Sequence, residues 1–154
     1  MGQQPVILLP AVPVPAFGPH LTLSGHAPLE KISKIGYIYD FLVCCPDFIK
    51  MTKIMPPRVC ERRVGAPKYW GISGYVIIAE SHISVHTFYD RSLINLDIFS
   101  CKDFDQDLAV AYAVESFGIT HHERNVFDRG LEFPRDEQAV DFHLLKERES
   151  IADT

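Results

Sequence analysis

Three strand signals follow one another between residues 75 and 101, and they leave little freedom in how the middle of the chain can fold. "YVIIAE", from Tyr75, is β-branched and nearly continuous, the pattern of a strand buried on both faces. "HISVHTF" alternates, with Ile83, Val85 and Thr87 on one face and His82, Ser84, His86 and Phe88 on the other. "LINLDIFSC" alternates too, gathering Leu93, Asn95, Asp97, Phe99 and Cys101 on one face. The short link "YDRS" suits a tight turn, so these runs read as an antiparallel meander.

Other elements gather around that meander. "HLTLSG" reads as a first strand. Leu29, Ile32, Ile35, Tyr39, Leu42 and Val43 recur at helical spacing, and Pro46 is expected to stop that helix. "MTKIM" is expected as a short strand, and "RRVGAPKYWG" as a surface loop. Residues 105–117 make a helix with acids at its start and Gly118 as its C-cap. "ITHHERNVFDRG" reads as a last strand and "EQAVDFHLLKERES" as a short surface helix. The order β-α-β-β-β-β-α-β predicts an α+β fold, with helices packed on one face of a mostly antiparallel sheet.

At 154 residues and 47% apolar, the chain has material for one domain with a real core. Its net charge of -5 argues against a nucleic-acid surface, and the basic run "RVCERR" reads as a solvated face. Cys44, Cys45, Cys60 and Cys101 form no CxxC pair, which excludes zinc-ribbon and thioredoxin-like arrangements. The histidines show no recognisable metal-ligand spacing. Pro5, Pro10, Pro13 and Pro15 interrupt the apolar N-terminal run, which also lacks the basic start of a signal peptide. No run reaches the ~18 apolar residues of a membrane span, so a cytoplasmic protein is expected.

The chemistry gathers around "AESHISVHTFYD". Ser81, His86 and Cys101 sit on strands that run away from and back towards one another, so their side chains are expected to meet at one end of the sheet. A Cys-His couple by itself suggests a thiol hydrolase, in which the imidazole lowers the thiol pKa. No third orienting residue is evident.

"ISGYVIIAESHISVHT", with the later "LDIFSC", resembles the processing site of the prokaryotic S-adenosylmethionine decarboxylase proenzymes, a self-cleaving, pyruvoyl-dependent family. The core E-S-H-[IL]-[ST]-[IV]-H-T matches almost letter for letter. The resemblance extends from about Phe17 to Arg135. It leaves a Pro-rich extended leader over residues 1–16 and a charged tail over 136–154 outside a decarboxylase domain of 17–135.

This resemblance implies a two-layer α/β sandwich and a homodimer with its active sites near the interface. It implies cleavage between Glu80 and Ser81, by attack of Ser81 on the carbonyl of Glu80, leaving a pyruvoyl group in place of Ser81. It assigns Ser73 to assist the acyl shift, and His86 to remove the α-proton of the ester. The pyruvoyl group serves as electron sink for a small-molecule substrate. Cys101 is assigned to reprotonate the carbanion left by loss of CO₂, and a thiol of pKa about 8.5 still holds its proton at neutral pH.

The family's H-T-W-P-E is replaced here by "HTFYD". Phe88 keeps a stacking face for adenine, and Asp90 keeps a carboxylate for the ribose, one methylene shorter. S-adenosylmethionine is therefore the expected substrate. L-arginine or L-ornithine is the alternative, since Asp90 could also pair with a distal cation.

Overall fold

Alternating apolar residues from Ile94 to Ile98, Ile83 to Thr87 and Ile72 to Ile78 must all reach one side of a sheet, and helices must cover that side. In the computed structural model, which describes residues 18–130, this is how the chain folds. The elements are β1 (Gly18–His26), α1 (Leu29–Ile32), α2 (Ile35–Phe48), β2 (Arg58–Arg62), β3 (Gly71–Ile78), β4 (Ser81–Phe88), β5 (Leu93–Ser100), α3 (Gln106–Phe117) and β6 (His121–Arg129). The leader over 1–16 and the C-terminal "EQAVDFHLLKERES" helix lie outside the described residues.

The strands form one antiparallel sheet in the order β2-β3-β4-β5-β1-β6. Leu21, Leu23, Ile72, Val76, Ile83, Ile94 and Ile98 point from it into the core, where they meet Ile38, Leu42 and Phe117 of the helices. Each such side chain, fully buried, contributes about 1.5–3 kcal/mol before entropic costs. The result is a two-layer α+β sandwich, as expected. The opposite face of the sheet carries His20, Tyr75, His82, Ser84, His86, Asn95 and Asp97, and no helix among the described residues covers it.

Several local expectations need correction. Pro46 does not stop the helix: α2 runs on to Phe48 with Pro46 buried inside it. A proline in the last turn removes only one intrahelical bond, and burying its ring offsets that loss. The helical run instead breaks earlier, at Ser33 and Lys34, where Lys34 is extended. "MTKIM" contributes an isolated bridge, Lys53 to Ile78, rather than a strand. The missing strand is "RVCER", whose alternating exposure marks it as the edge strand β2. "YVIIAE" is not buried on both faces, because Tyr75 is 44% exposed on the uncovered side. The "YDRS" link is a tight turn, with a 3₁₀ turn at Tyr89–Arg91 and Ser92 left-handed at φ 49°. Gly118 caps α3 with φ 65°, a conformation that costs glycine little.

Gly71 is where β3 enters the sheet, and its backbone lies close against β4. A Cβ there would sit 1.8 Å from the carbonyl oxygen of Thr87. The same close approach lets the Ile72 amide donate to Thr87 Oγ1 at 2.8 Å, which satisfies a buried threonine. Gly71→Ala therefore has to push two paired strands apart. It is expected to lower stability by about 2–3 kcal/mol, read as the shift in a urea unfolding midpoint; an unchanged midpoint would show that the strands can separate freely.

Candidate active site

The Glu80–Ser81 peptide sits in the turn between β3 and β4, and three interactions hold it. The carbonyl of Glu80 accepts the Cys101 amide at 2.9 Å. The carboxylate of Glu80 accepts the Thr52 amide at 3.0 Å. Ser81 opposes Ser100 as the last pair of β4 with β5. The buried Ser100 hydroxyl in turn accepts the Lys102 amide at 2.9 Å and donates to the Lys102 carbonyl at 2.6 Å, folding the chain just beyond the exposed Cys101. Glu80, Ser81 and Cys101 thus share one end of the sheet.

Ser81 itself is strained. Its φ of 149° lies in a region that side chains other than glycine rarely enter. Such a conformation costs on the order of 1–3 kcal/mol and persists only where surrounding contacts enforce it. Its hydroxyl lies 3.2 Å from Nδ1 of His82.

His86 does not join this group. It is five residues along β4 from Ser81, or about 17 Å at roughly 3.3 Å per residue. The expectation that Ser81, His86 and Cys101 meet within one chain is therefore corrected: the rise of the strand keeps His86 away. His86 pairs instead with Ser73, directly opposite on β3, and Ser73 Oγ and His86 Nδ1 are 2.9 Å apart. These two residues, with Arg58, Cys60, Tyr75 and Ser84, line an open cavity of about 450 Å³ on the uncovered face. Phe88 ends β4 beyond them, and Asp90 is exposed in the turn that follows. The seven residues singled out from the sequence thus divide into Glu80, Ser81 and Cys101 at one end and Ser73, His86, Phe88 and Asp90 towards the other.

Two features carry no clear mark in the sequence. One is the Cys101 amide on the Glu80 carbonyl, a backbone contact that depends on strand register alone. The other steadies the turn bearing Asp90. The Tyr89 hydroxyl donates to Glu61 on β2 at 2.8 Å, and Arg63 pairs with the same carboxylate at 2.9 Å. Burial and the bond to Glu61 push the Tyr89 phenol up to about 12. Arg63 and Tyr89 together hold the Glu61 carboxyl below its usual range. Tyr89 stands where the resembling family has proline, so a hydrogen-bonded tether replaces a covalently restricted backbone.

Next to the strained peptide lies an aromatic and imidazole row on the uncovered face. The His82 ring centroid is 5.9 Å from that of Phe99, which is 5.7 Å from that of His20. His20 Nε2 comes within 3.3 Å of the Asp97 carboxylate. His20 Nδ1 and Asn95 Oδ1 are buried without a hydrogen-bond partner among the described residues.

Three comparisons bear on this arrangement. The family model described as S-adenosylmethionine decarboxylase matches residues 21–130. A proenzyme of that name from Hydrogenobaculum sp. is 39% identical over 62 residues, covering 40% of this chain and 46% of that protein. One from Archaeoglobus fulgidus is 43% identical over 61 residues, covering 39% of this chain and 54% of that protein. The chain thus spans about half the length of the curated relatives it matches. The crystal structure of the adenosylmethionine decarboxylase from Aquifex aeolicus shares the fold, with a TM-score of 0.63 at 24% identity over 75% of this chain and 92% of that one.

The Tyr89 tether can be tested directly. In Tyr89→Phe the Ser92 amide, bonded to the Tyr89 carbonyl at 3.2 Å, is expected to exchange faster with solvent deuterium, while amides of β4 keep their protection. Unaltered exchange at Ser92 would mean that the turn holds itself.

Proposed function

The chain belongs to the S-adenosylmethionine decarboxylase family, and on that premise we propose that it is a self-processing, pyruvoyl-dependent decarboxylase acting on S-adenosylmethionine in polyamine synthesis. The observation that carries this reading is the Glu80–Ser81 peptide. Its serine has φ 149°, and its carbonyl is hydrogen-bonded at 2.9 Å. Strain at the peptide to be broken is relieved by breaking it, and a polarised carbonyl favours attack by the neighbouring hydroxyl.

The residues around Ser81 fit a pyruvoyl group formed there. Ser81 sits at the very start of β4, where the chain can end without loss of a strand. The exposed Cys101 follows directly on Ser100, the residue that pairs with Ser81. A pyruvoyl group supplies a carbonyl that accepts electrons when CO₂ leaves a bound amino acid. This chain's own residues supply the rest. Cys101 holds a proton for delivery to the substrate carbon, Phe88 offers a face for a purine, and Asp90 offers a carboxylate for the ribose hydroxyls.

The division between the two ends of the sheet supports a homodimer with shared sites. His86 and Ser73 cannot act on Ser81 of their own chain across about 17 Å of strand. A two-fold axis through the uncovered sheet face would bring Ser73, His86, Phe88 and Asp90 of one copy to Ser81 and Cys101 of the other.

Mixed variants test both parts. Wild-type protein is expected to separate into residues 1–80 and an amine-blocked C-terminal fragment by intact mass, while Ser81→Ala and His86→Ala alone both stay whole. Co-expressed, the two variants should yield a cut His86→Ala chain, since its Ser81 faces an intact His86 on the second copy. Intact wild-type chain after long incubation would sink self-processing; an uncut mixed dimer would sink the shared site. Labelled CO₂ released from S-adenosylmethionine, and none from L-arginine or L-ornithine, is the expected substrate result. The reverse pattern would overturn that assignment.

A further inference from the structure

We propose that His82 is the general base for the first step of self-cleavage, the attack of Ser81 on the carbonyl of Glu80. This inference rests on the self-processing reading and adds a catalytic residue to it. Adjacent side chains on a regular strand diverge to opposite faces. The departure of Ser81 from the β region lets its hydroxyl meet the next side chain instead, with Oγ and Nδ1 3.2 Å apart. That separation is within reach of proton transfer. The Cys101 amide, 2.9 Å from the Glu80 oxygen, is already in position to hold the charge that develops there. Nucleophile, base and oxyanion donor are thus assembled within one chain, whereas His86 is held by Ser73 in another part of the sheet.

The step balances without a co-reactant. The hydroxyl proton of Ser81 passes to Nδ1 of His82 as Oγ bonds to the carbonyl carbon of Glu80. The Glu80–Ser81 C–N bond then breaks, and the same proton moves from Nδ1 to the departing nitrogen. An amide and an alcohol become an ester and an amine. His82 acts on this acyl shift, and His86 of the second copy acts on the elimination that follows.

The surroundings of His82 suit a base. Burial lowers its pKa from the ordinary value, His20 on β1 and Arg129 on β6 push it the same way, and Asp97 on β5 opposes them. Phe99 on β5 packs beside the ring. A lowered pKa keeps Nδ1 free to accept a proton at neutral pH and somewhat below. The base form is lost only as pH falls through the folded pKa. The rate of ester formation in His86→Ala, which isolates this first step, should therefore hold level down through pH about 6.5, the ordinary imidazole value, and fall only on the acid side of it.

The experiment follows full-length chain made by cell-free translation, with intact mass read over time at several pH values and with or without hydroxylamine, which cuts esters and spares amides. His82→Asn keeps an acceptor near the Nδ1 position but cannot take up the proton. His82→Asn and His82→Ala are expected to cleave about 100-fold or more slowly, to persist as amides that hydroxylamine does not cut, and, for His82→Ala, to regain rate when imidazole is added. His86→Ala, by contrast, should accumulate a hydroxylamine-labile ester. Cleavage of His82→Asn at the wild-type rate, or ester accumulating in it, would overturn the proposal, as would ester formation in His86→Ala at a rate independent of pH across the acid range. A wild-type chain that never cuts would instead overturn the self-processing reading beneath it.

Discussion

Strand β4 lies between β3 and β5 and is bonded to both, and the distances that matter for function follow from those two registers. Pairing with β5 sets Ser81 opposite Ser100, which brings the Cys101 amide onto the carbonyl of Glu80. Pairing with β3 sets Ser73 opposite His86. A slip of one residue in either ladder would send the buried Ile83, Val85 and Thr87 to the uncovered face, so burial of that row enforces the register. The core therefore does more than hold the sheet together. It determines which carbonyl an amide touches and which serine a histidine meets.

The two faces of the sheet have different tasks. The covered face is a near-continuous apolar layer, and the buried Thr87 on it is satisfied by the Ile72 amide. The uncovered face is polar and aromatic, and holds imidazole, amide and carboxylate groups in rows across the strands. Two of those atoms, His20 Nδ1 and Asn95 Oδ1, are buried without a hydrogen-bond partner among the described residues. Unpaired buried polar atoms are costly. They lie on the same face as Ser73 and His86.

Much of the architecture was legible because its signals are local. The period-two alternation of "HISVHTF" and "LINLDIFSC" specified both their strands and their inward faces, and the acid-led helix ending at Gly118 was equally plain. The failures were those in which tertiary context outweighed a local preference. Pro46 is tolerated because it falls in the last turn of α2 and is buried. "MTKIM" has strand-forming residues but is left with a single bridge, while charged "RVCER" becomes a strand because an edge position exposes alternate residues to water.

The candidate site shows the same division more sharply. The motif around Glu80 and Ser81 identified the bond at issue, and the family resemblance supplied roles for Ser73, His86 and Cys101 from residue identity alone. Which of these groups share a space was beyond it, because separation along a strand grows with every residue whereas contact across strands depends on register. The left-handed φ of Ser81, the Cys101 amide on the Glu80 carbonyl, the tether from Tyr89 to Glu61 and the closeness of His82 to Ser81 all arise from where neighbouring strands stop and turn. Sequence alone determined the chemical groups and the strand that carries them. Folding decided which ones meet, since two of those contacts join segments far apart in the chain, and the third, between neighbours, needs a backbone angle that serine adopts only when its surroundings impose it.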